Sequence, residues 1–325
     1  MPTPDGGARI GVIGHGYSVP AGIRQNDDPI FAWLRQNDPN FDKYFFGYNE
    51  RRVLGPGERL ITHMLASAEA ALAMSGVLPA QIDLLLGFES VSEYSMPNGI
   101  AQLHQMLGLP KSCWIIPLNV EYSNFNAGLV IADAMIRSGQ VRNALVVSGG
   151  NWTRYVDYHS SPSVSAGDGA GAAVVGRTSD ASTFRVVDFE TITQTSLIVP
   201  PAADSSVATD PNAPPVIEPT YGGMFVGTDV VAAGATKGSG LYDDASLTQP
   251  YFHLTTKGMT EFSTFGVTAP VQVVQTLLRR NTLSGSQVTI TAHQTSQLLL
   301  QAWNNALRPR PVSYTHLTLP TNREV

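Results

Sequence analysis

The chain is poor in the groups that most often announce chemistry. It holds one cysteine in 325 residues, Cys113. An intrachain disulfide and a multi-cysteine metal site are therefore both excluded. Only 14% of the residues are charged, and the net charge is −6 at pH 7. No basic surface is on offer for a phosphate backbone, so nucleic acid is not an expected partner. No run of about 18 apolar residues occurs, and the N-terminus, MPTPDGGARIGVIG, lacks a basic-then-apolar signal pattern. A cytoplasmic protein without a membrane span is expected. His15, His63, His104, His159, His253 and His316 show no ligand spacing with acidic or thiol partners, so no metal and no bound cofactor are expected.

What is there is apolar material. At 43% hydrophobic, the chain can bury a large core, in one large unit or in two domains of about 150 residues. Residues 9–14 (RIGVIG) read as a short buried strand before a Gly/Pro turn. Residues 58–75 carry Ile61, Met64, Leu65, Ala68 and Leu72 on one helical face, with Gly76 placed to stop the helix. A buried strand at 82–88 follows. Then come a helix after Pro97 ending at Gly108, a strand at 114–120, a helix at 124–138 closed by Gly139, and a strand at 144–150. After GDGAGAAVV at 167–175, FRVVDFE at 184–190 reads as a strand. Residues 199–250 are rich in Pro, Gly, Asp and Ser and long for a connection, which suits a lid, a binding loop or a dimer excursion. A helix at 268–280, a strand at 288–292 and a helix at 295–306 resume the pattern. Alternating short apolar runs and amphipathic helices predict an α/β layered fold.

GVIGHG at 11–16 has the look of a dinucleotide loop. Its third glycine is missing, because Val19 stands there, and Pro20 interrupts the helix start. It is read as a decoy.

Several segments, in order, carry a resemblance. GDGAGAAVV enters a strand. NERRVLGPGE precedes an Ala-rich helix, and LPAQIDLLLGFES is followed by MPNGIAQLHQMLGL. Far downstream stands AHQTSQLLLQAW at 292–303. Together they resemble the ketoacyl-ACP synthase III branch of the thiolase superfamily over roughly residues 9–307. The resemblance implies a thiolase fold, with two similar halves packed as duplicated αβαβα layers, and a homodimer. It also implies a buried pocket that receives acyl-CoA or acyl-carrier-protein thioesters. The halves are expected at 1–180 and 181–311. Residues 312–325, containing SYTHLTLPTNREV, resemble translated cloning-adaptor sequence, so the C-terminal half is expected to be incomplete.

The family's chemistry uses a Cys nucleophile at a helix N-terminus, with a His and an Asn as hydrogen-bond donors to the thioester carbonyl. Here the nucleophile is not retained. Counting without gaps from Cys113, the position falls on Tyr122, and a one-residue slip puts it on Ser123. Cys113 itself lies a strand length upstream and reads as a small core residue. Ser123 is either an acyl acceptor, its proton drawn off by His293, or a plain cap of the 124–138 helix. Glu121 is a base near the pocket or a solvated strand-end carboxylate. Asn124 is an oxyanion donor or a second cap residue. His293 matches the family's catalytic His, and its alternative is a helix-entry histidine satisfied by backbone. The family's Asn has no counterpart, since Asn304 and Asn305 fall inside a helical pattern and Asn322 in the suspect tail. Phe41 and Phe45 fall near the places where the family's Trp and Arg meet the nucleotide.

Two functions are therefore expected. One is acyl transfer or Claisen-type condensation by a Cys-less enzyme of fatty-acid or polyketide type. The other is a non-catalytic thiolase-fold partner that binds an acyl carrier or an active homologue.

Overall fold

The computed structural model describes residues 9–92, 97–120, 123–156, 158, 159, 161–193, 224–227, 251–254, 256–283, 288–293, 296–307, 313 and 314. Its elements follow in chain order: β1 (Arg9–Ser18), β2 (Gly22–Gln25), α1 (Ala32–Asn37), α2 (Phe41–Tyr44), β3 (Glu50–Val53), α3 (Leu60–Ser75), β4 (Leu84–Glu89), α4 (Gly99–Met106), β5 (Trp114–Pro117), α5 (Asn124–Arg137), β6 (Ala144–Asn151) and β7 (Asp168–Thr178). Then come β8 (Met224–Gly227), β9 (Tyr251–Leu254), α6 (Thr256–Arg280), β10 (Thr289–Ile290), α7 (Gln297–Leu307) and β11 (Ser313–Tyr314). The chain divides into two compact units. The first is Met1–Gln25, Glu50–Tyr155 and Ala166–Phe189; the second is Asn26–Asn49, Val156–Ser165 and Glu190–Val325.

The first unit is built on a mixed five-stranded sheet in the order β1-β7-β6-β4-β5. Its central strands alternate between two cores. Leu85, Leu145, Val147 and Val174 face α3 and α4. Leu84, Leu86, Val146 and Val175 face α5, through Ala132 and Ile136. Strands buried on both faces need unbroken apolar runs, which is what IDLLLGF and ALVVSGG supply. The result is a three-layer α/β/α sandwich, consistent with the α/β layering that the sequence predicts.

The expected helix stops are borne out. Gly76, Gly108 and Gly139 all adopt positive φ just after α3, α4 and α5, a conformation that glycine enters without steric cost. One strand is longer than expected. β1 does not turn at Gly14 but runs on to Ser18. Its glycines let a helix approach, since a Cβ at Gly14 or Gly16 would collide with the backbone carbonyls of Ala71 and Ser67 on α3. The GVIGHG motif is thus a seat for a helix on a strand, and not a phosphate loop.

Two expectations fail. FRVVDFE forms no strand; Phe184 makes a single bridge to Val12, through a 2.7 Å bond from Val12 N–H to the Phe184 carbonyl. β1 leaves its register between Val12 and Gly14 at that point, and a bulge turns an edge away from further pairing. The strand expected at 114–120 stops at Pro117; Leu118 N–H still bonds the Gly87 carbonyl of β4, but Val120 N–H is taken by the Asn124 side chain.

In the second unit α6 and α7 share a small core of Leu299, Leu300 and Trp303 with Val267, Val271 and Ala292. The Trp303 indole donates to the Gly266 carbonyl at 2.8 Å. α6 begins well before the expected start at 268 and carries Pro270 inside it. β10 pairs in parallel with Ser313–Tyr314, the one described stretch of the 312–325 tail. Of the segment 199–250, only β8 is described, paired antiparallel with β9; the lid, binding loop or dimer excursion expected there lies otherwise outside the described residues. Phe41 and Phe45 meet edge to face at 4.7 Å. Both pack on Phe31, which also contacts Tyr158. These rings are part of a core.

Asp168, the acid of GDGAGA, ties the first unit together at one end of the sheet. It is 6% exposed. Its carboxylate accepts from Leu54 N–H at 2.8 Å, from Thr153 N–H at 3.0 Å and from the Thr153 hydroxyl. Burial raises its pKa above 3.8, while these donors and Arg154 pull the other way. Its removal leaves the Leu54 and Thr153 N–H groups buried without this acceptor, at about 1–3 kcal/mol each, so Asp168→Ala should cost about 2–6 kcal/mol. Urea unfolding measures this, and a loss under about 1 kcal/mol would contradict the clamp.

Candidate active site

The corner between β5 and α5 carries the residues to which the resemblance assigns the nucleophile position. Leu118 N–H closes β5 onto the Gly87 carbonyl at 2.7 Å. Two residues later the chain folds back: the Asn124 carboxamide oxygen accepts from Val120 N–H at 2.8 Å. Ser123 N–H bonds the Val120 carbonyl at 3.2 Å. Asn124 is 2% exposed, and its side chain fixes the entry to α5. The helix is drawn close to the sheet at Gly128, where a Cβ would meet Val146 at 2.6 Å.

Ser123 occupies the N-cap position of α5 and is exposed. Its hydroxyl makes no capping hydrogen bond, so the plain-cap reading lacks the bond that defines a cap. The first N–H groups of a helix have no partner inside it, and its N-terminus carries about half a positive charge. An oxyanion formed here would be stabilised. Glu121 and Tyr122 lie outside the described residues.

Cys113 offers no substitute nucleophile. It is 6% exposed within the α3/α4-side core, and burial, helped by the charge of Asp83, pushes its thiol up to about 11. At neutral pH it is a thiol and not a thiolate.

His293 belongs to the second unit, between β10 and α7. Ala292 before it packs on the Leu299–Leu300–Trp303 cluster. Ser296 after it caps α7, its hydroxyl accepting from Leu299 N–H at 3.1 Å. The residue is open at the surface, yet protein around it desolvates the ring enough to lower its pKa from 6.5. The direction follows from that surrounding protein, and the open surface limits its size. A lowered pKa keeps the imidazole neutral, the form a general base needs at pH 7. Asn304 and Asn305 lie within α7. No His/Cys/Asp/Glu group able to hold a metal occurs among the described residues, and among them no helix is long and apolar enough to cross a membrane.

One constellation was not visible in the sequence. His63, which has no ligand spacing, hydrogen-bonds both Ser18 and Glu58. Glu58 could have been suspected, five residues before the histidine at a helix start. Ser18 is brought in by the sheet.

Residues 118–195 match the family described as 3-oxoacyl-[acyl-carrier-protein (ACP)] synthase III. The chain is 35% identical over 170 residues to beta-ketoacyl-[acyl-carrier-protein] synthase III 4 of Streptomyces coelicolor, covering 52% of each. It thus spans about half the length of the curated relatives it matches. Among solved structures, the priming β-ketosynthase of the R1128 polyketide biosynthetic pathway superposes with a TM-score of 0.66 at 22% identity, over 97% of this chain and 84% of that one. The 3-oxoacyl-[acyl-carrier-protein] synthase III of Aquifex aeolicus gives 0.63 at 21% identity, over 92% and 81%.

The lowered pKa has a measurable sign. A folded pKa below the unfolded value means that the unfolded chain binds the extra proton first, so this histidine costs stability as pH falls below 6.5. An NMR titration of the His293 ring should give a midpoint under 6.5. A midpoint at or above that value would contradict the desolvated setting.

Proposed function

As a ketoacyl-ACP synthase III-like chain of thiolase fold, this protein, we propose, transfers acyl groups from acyl-CoA or acyl-carrier-protein thioesters. It does so in fatty-acid or polyketide type metabolism, with Ser123 in place of the cysteine. The observation that carries this reading is the Ser123 hydroxyl, exposed at the N-terminus of α5 and not consumed by capping. It sits inside the stretch that matches the synthase III family.

In this mechanism Ser123 attacks the thioester carbonyl and the α5 N-terminus supports the oxyanion. His293, kept neutral by its lowered pKa, takes the proton. A serine hydroxyl is a far weaker acid than a thiol, so a positioned base is indispensable. Asn124, already bonded to Val120, sets the corner's shape. Glu121 and Tyr122 are secondary candidates. A homodimer and an acyl carrier protein are the partners proposed with the fold. The halves at 1–180 and 181–311 are proposed to be the duplicated layers, and 312–325 a foreign tail.

The missing thiol favours one competing reading, a non-catalytic partner that binds an acyl carrier or an active homologue. Peptide-mapping mass spectrometry after incubation with a panel of acyl-CoA and acyl-carrier thioesters separates the two. An acyl adduct on the peptide that carries residue 123 is expected, and that adduct should fall at least about a hundredfold in Ser123→Ala, the scale of lost nucleophilic and acid–base assistance. Tight carrier binding by a folded protein that forms no adduct would establish the partner reading.

A further inference from the structure

A second activated serine stands in the first unit, away from the α5 corner. Ser18 ends β1, opposite Ala170 of β7. Its hydroxyl lies 2.8 Å from His63 Nδ1, and His63 Nε2 lies 2.8 Å from Glu58 Oε1. The other Glu58 oxygen accepts from Gly55 N–H at 2.8 Å.

The protons in this chain can be assigned from charge. Glu58 has a lowered pKa, first through the Gly55 N–H and next through His63, with Arg154 adding positive charge. It is therefore ionised and can only accept. Nε2 of His63 then carries a hydrogen, and in the neutral imidazole Nδ1 is the acceptor. The Ser18 hydroxyl is then the donor to Nδ1. Carboxylate, imidazole and hydroxyl thus run in the order and polarity of a nucleophilic serine relay.

The parts are held rigidly. α3, which carries His63, is seated on β1 through Gly14 and Gly16. Arg154 donates to the Gly55 carbonyl at 2.7 Å, beside the loop that grips Glu58. The His63 side chain is 11% exposed and that of Glu58 32%, while Tyr17 and Val19 on either side of Ser18 are exposed. The base is shielded, and Ser18 itself is half-buried at the end of its strand. A mere tether between β1 and α3 would need one hydrogen bond, and would not need a carboxylate fixed at both oxygens behind the imidazole.

We propose that Ser18 is an acyl-accepting nucleophile, with His63 as its base and Glu58 as a positioning residue, and that its substrates are small acyl thioesters. In the step, Ser18 Oγ bonds to the thioester carbonyl carbon as His63 Nδ1 takes the hydroxyl proton. The carbon–sulfur bond then breaks, and the leaving thiolate takes that proton from His63. The products are an O-acyl serine and a free thiol. The substrate class rests on the acyl-thioester reading above; the activation of Ser18 does not.

The test incubates the full chain with a fluorophosphonate in one arm and acetyl-CoA in the other, and maps adducts by peptide mass spectrometry. Both probes should modify Ser18. In His63→Gln the rate should fall about a hundredfold or more, with thermal melting confirming the fold. Ring ¹⁵N shifts of His63 should show the Nε2-protonated tautomer, and Glu58→Gln should mix the tautomers. Ser18→Thr, which keeps a hydroxyl, should retain slow labelling and serves if Ser18→Ala does not fold. No adduct at Ser18 in either arm, or an unchanged rate in folded His63→Gln, overturns the relay. A fluorophosphonate adduct at Ser18 with no acetyl adduct anywhere keeps the relay and overturns the thioester substrate. An acetyl adduct on Ser123 alone, with Ser18 unlabelled by both probes, does the reverse.

Discussion

The first unit depends on one buried carboxylate. Asp168 begins β7, and through Thr153 and Leu54 it joins the segments that follow β6 and β3. A lone carboxylate in such a place would be expensive to desolvate by several kcal/mol. Three donors offset much of that cost, each charge-assisted bond contributing about 1.5–3 kcal/mol. The arrangement fixes geometry more than it adds net stability. It sets where β3 ends, and therefore where the Gly55 loop begins. From that loop Glu58 is held, and from Glu58 the imidazole of His63. Both the sheet and the polar chain above it hang on one residue of a glycine-rich motif.

Much of the first unit was legible because its rules are local. Apolar runs buried on both faces marked β4 and β6, and glycines that accept positive φ marked the ends of α3, α4 and α5. The sequence pattern begins a helix at 268, whereas α6 starts at Thr256 and carries Pro270 inside it. Apolar alternation in FRVVDFE met the local criteria for a strand, but a bulge in its neighbour, far upstream in the chain, left a single bridge. Sequence pattern does not report the state of a distant edge.

The candidate site divides in the same way. Ser123 and Asn124 could be named because the resemblance, counted from Cys113, brings the nucleophile position to the start of a helix readable at 124–138. That the two side chains differ could not be read: Asn124 is buried and bonded to Val120, and Ser123 is exposed without a cap bond. Ser18 and His63 are 45 residues apart in sequence, and only the packing of α3 on β1 makes them neighbours. Cys113 shows the converse. A lone thiol draws attention in sequence, and here its burial in the core raises its pKa and removes it from chemistry.

Acyl chemistry on a hydroxyl instead of a thiol is the central claim, and the stability of the acyl bond tests it most directly. Protein loaded from a radiolabelled acyl thioester would be treated with hydroxylamine at neutral and then at alkaline pH. Oxygen esters resist the neutral reagent and yield to the alkaline one, whereas thioesters are cleaved at neutral pH. The account predicts label that survives the first treatment and is released by the second. Label lost at neutral pH would place the acyl group on Cys113, and a folded protein that takes up no label would contradict the claim outright.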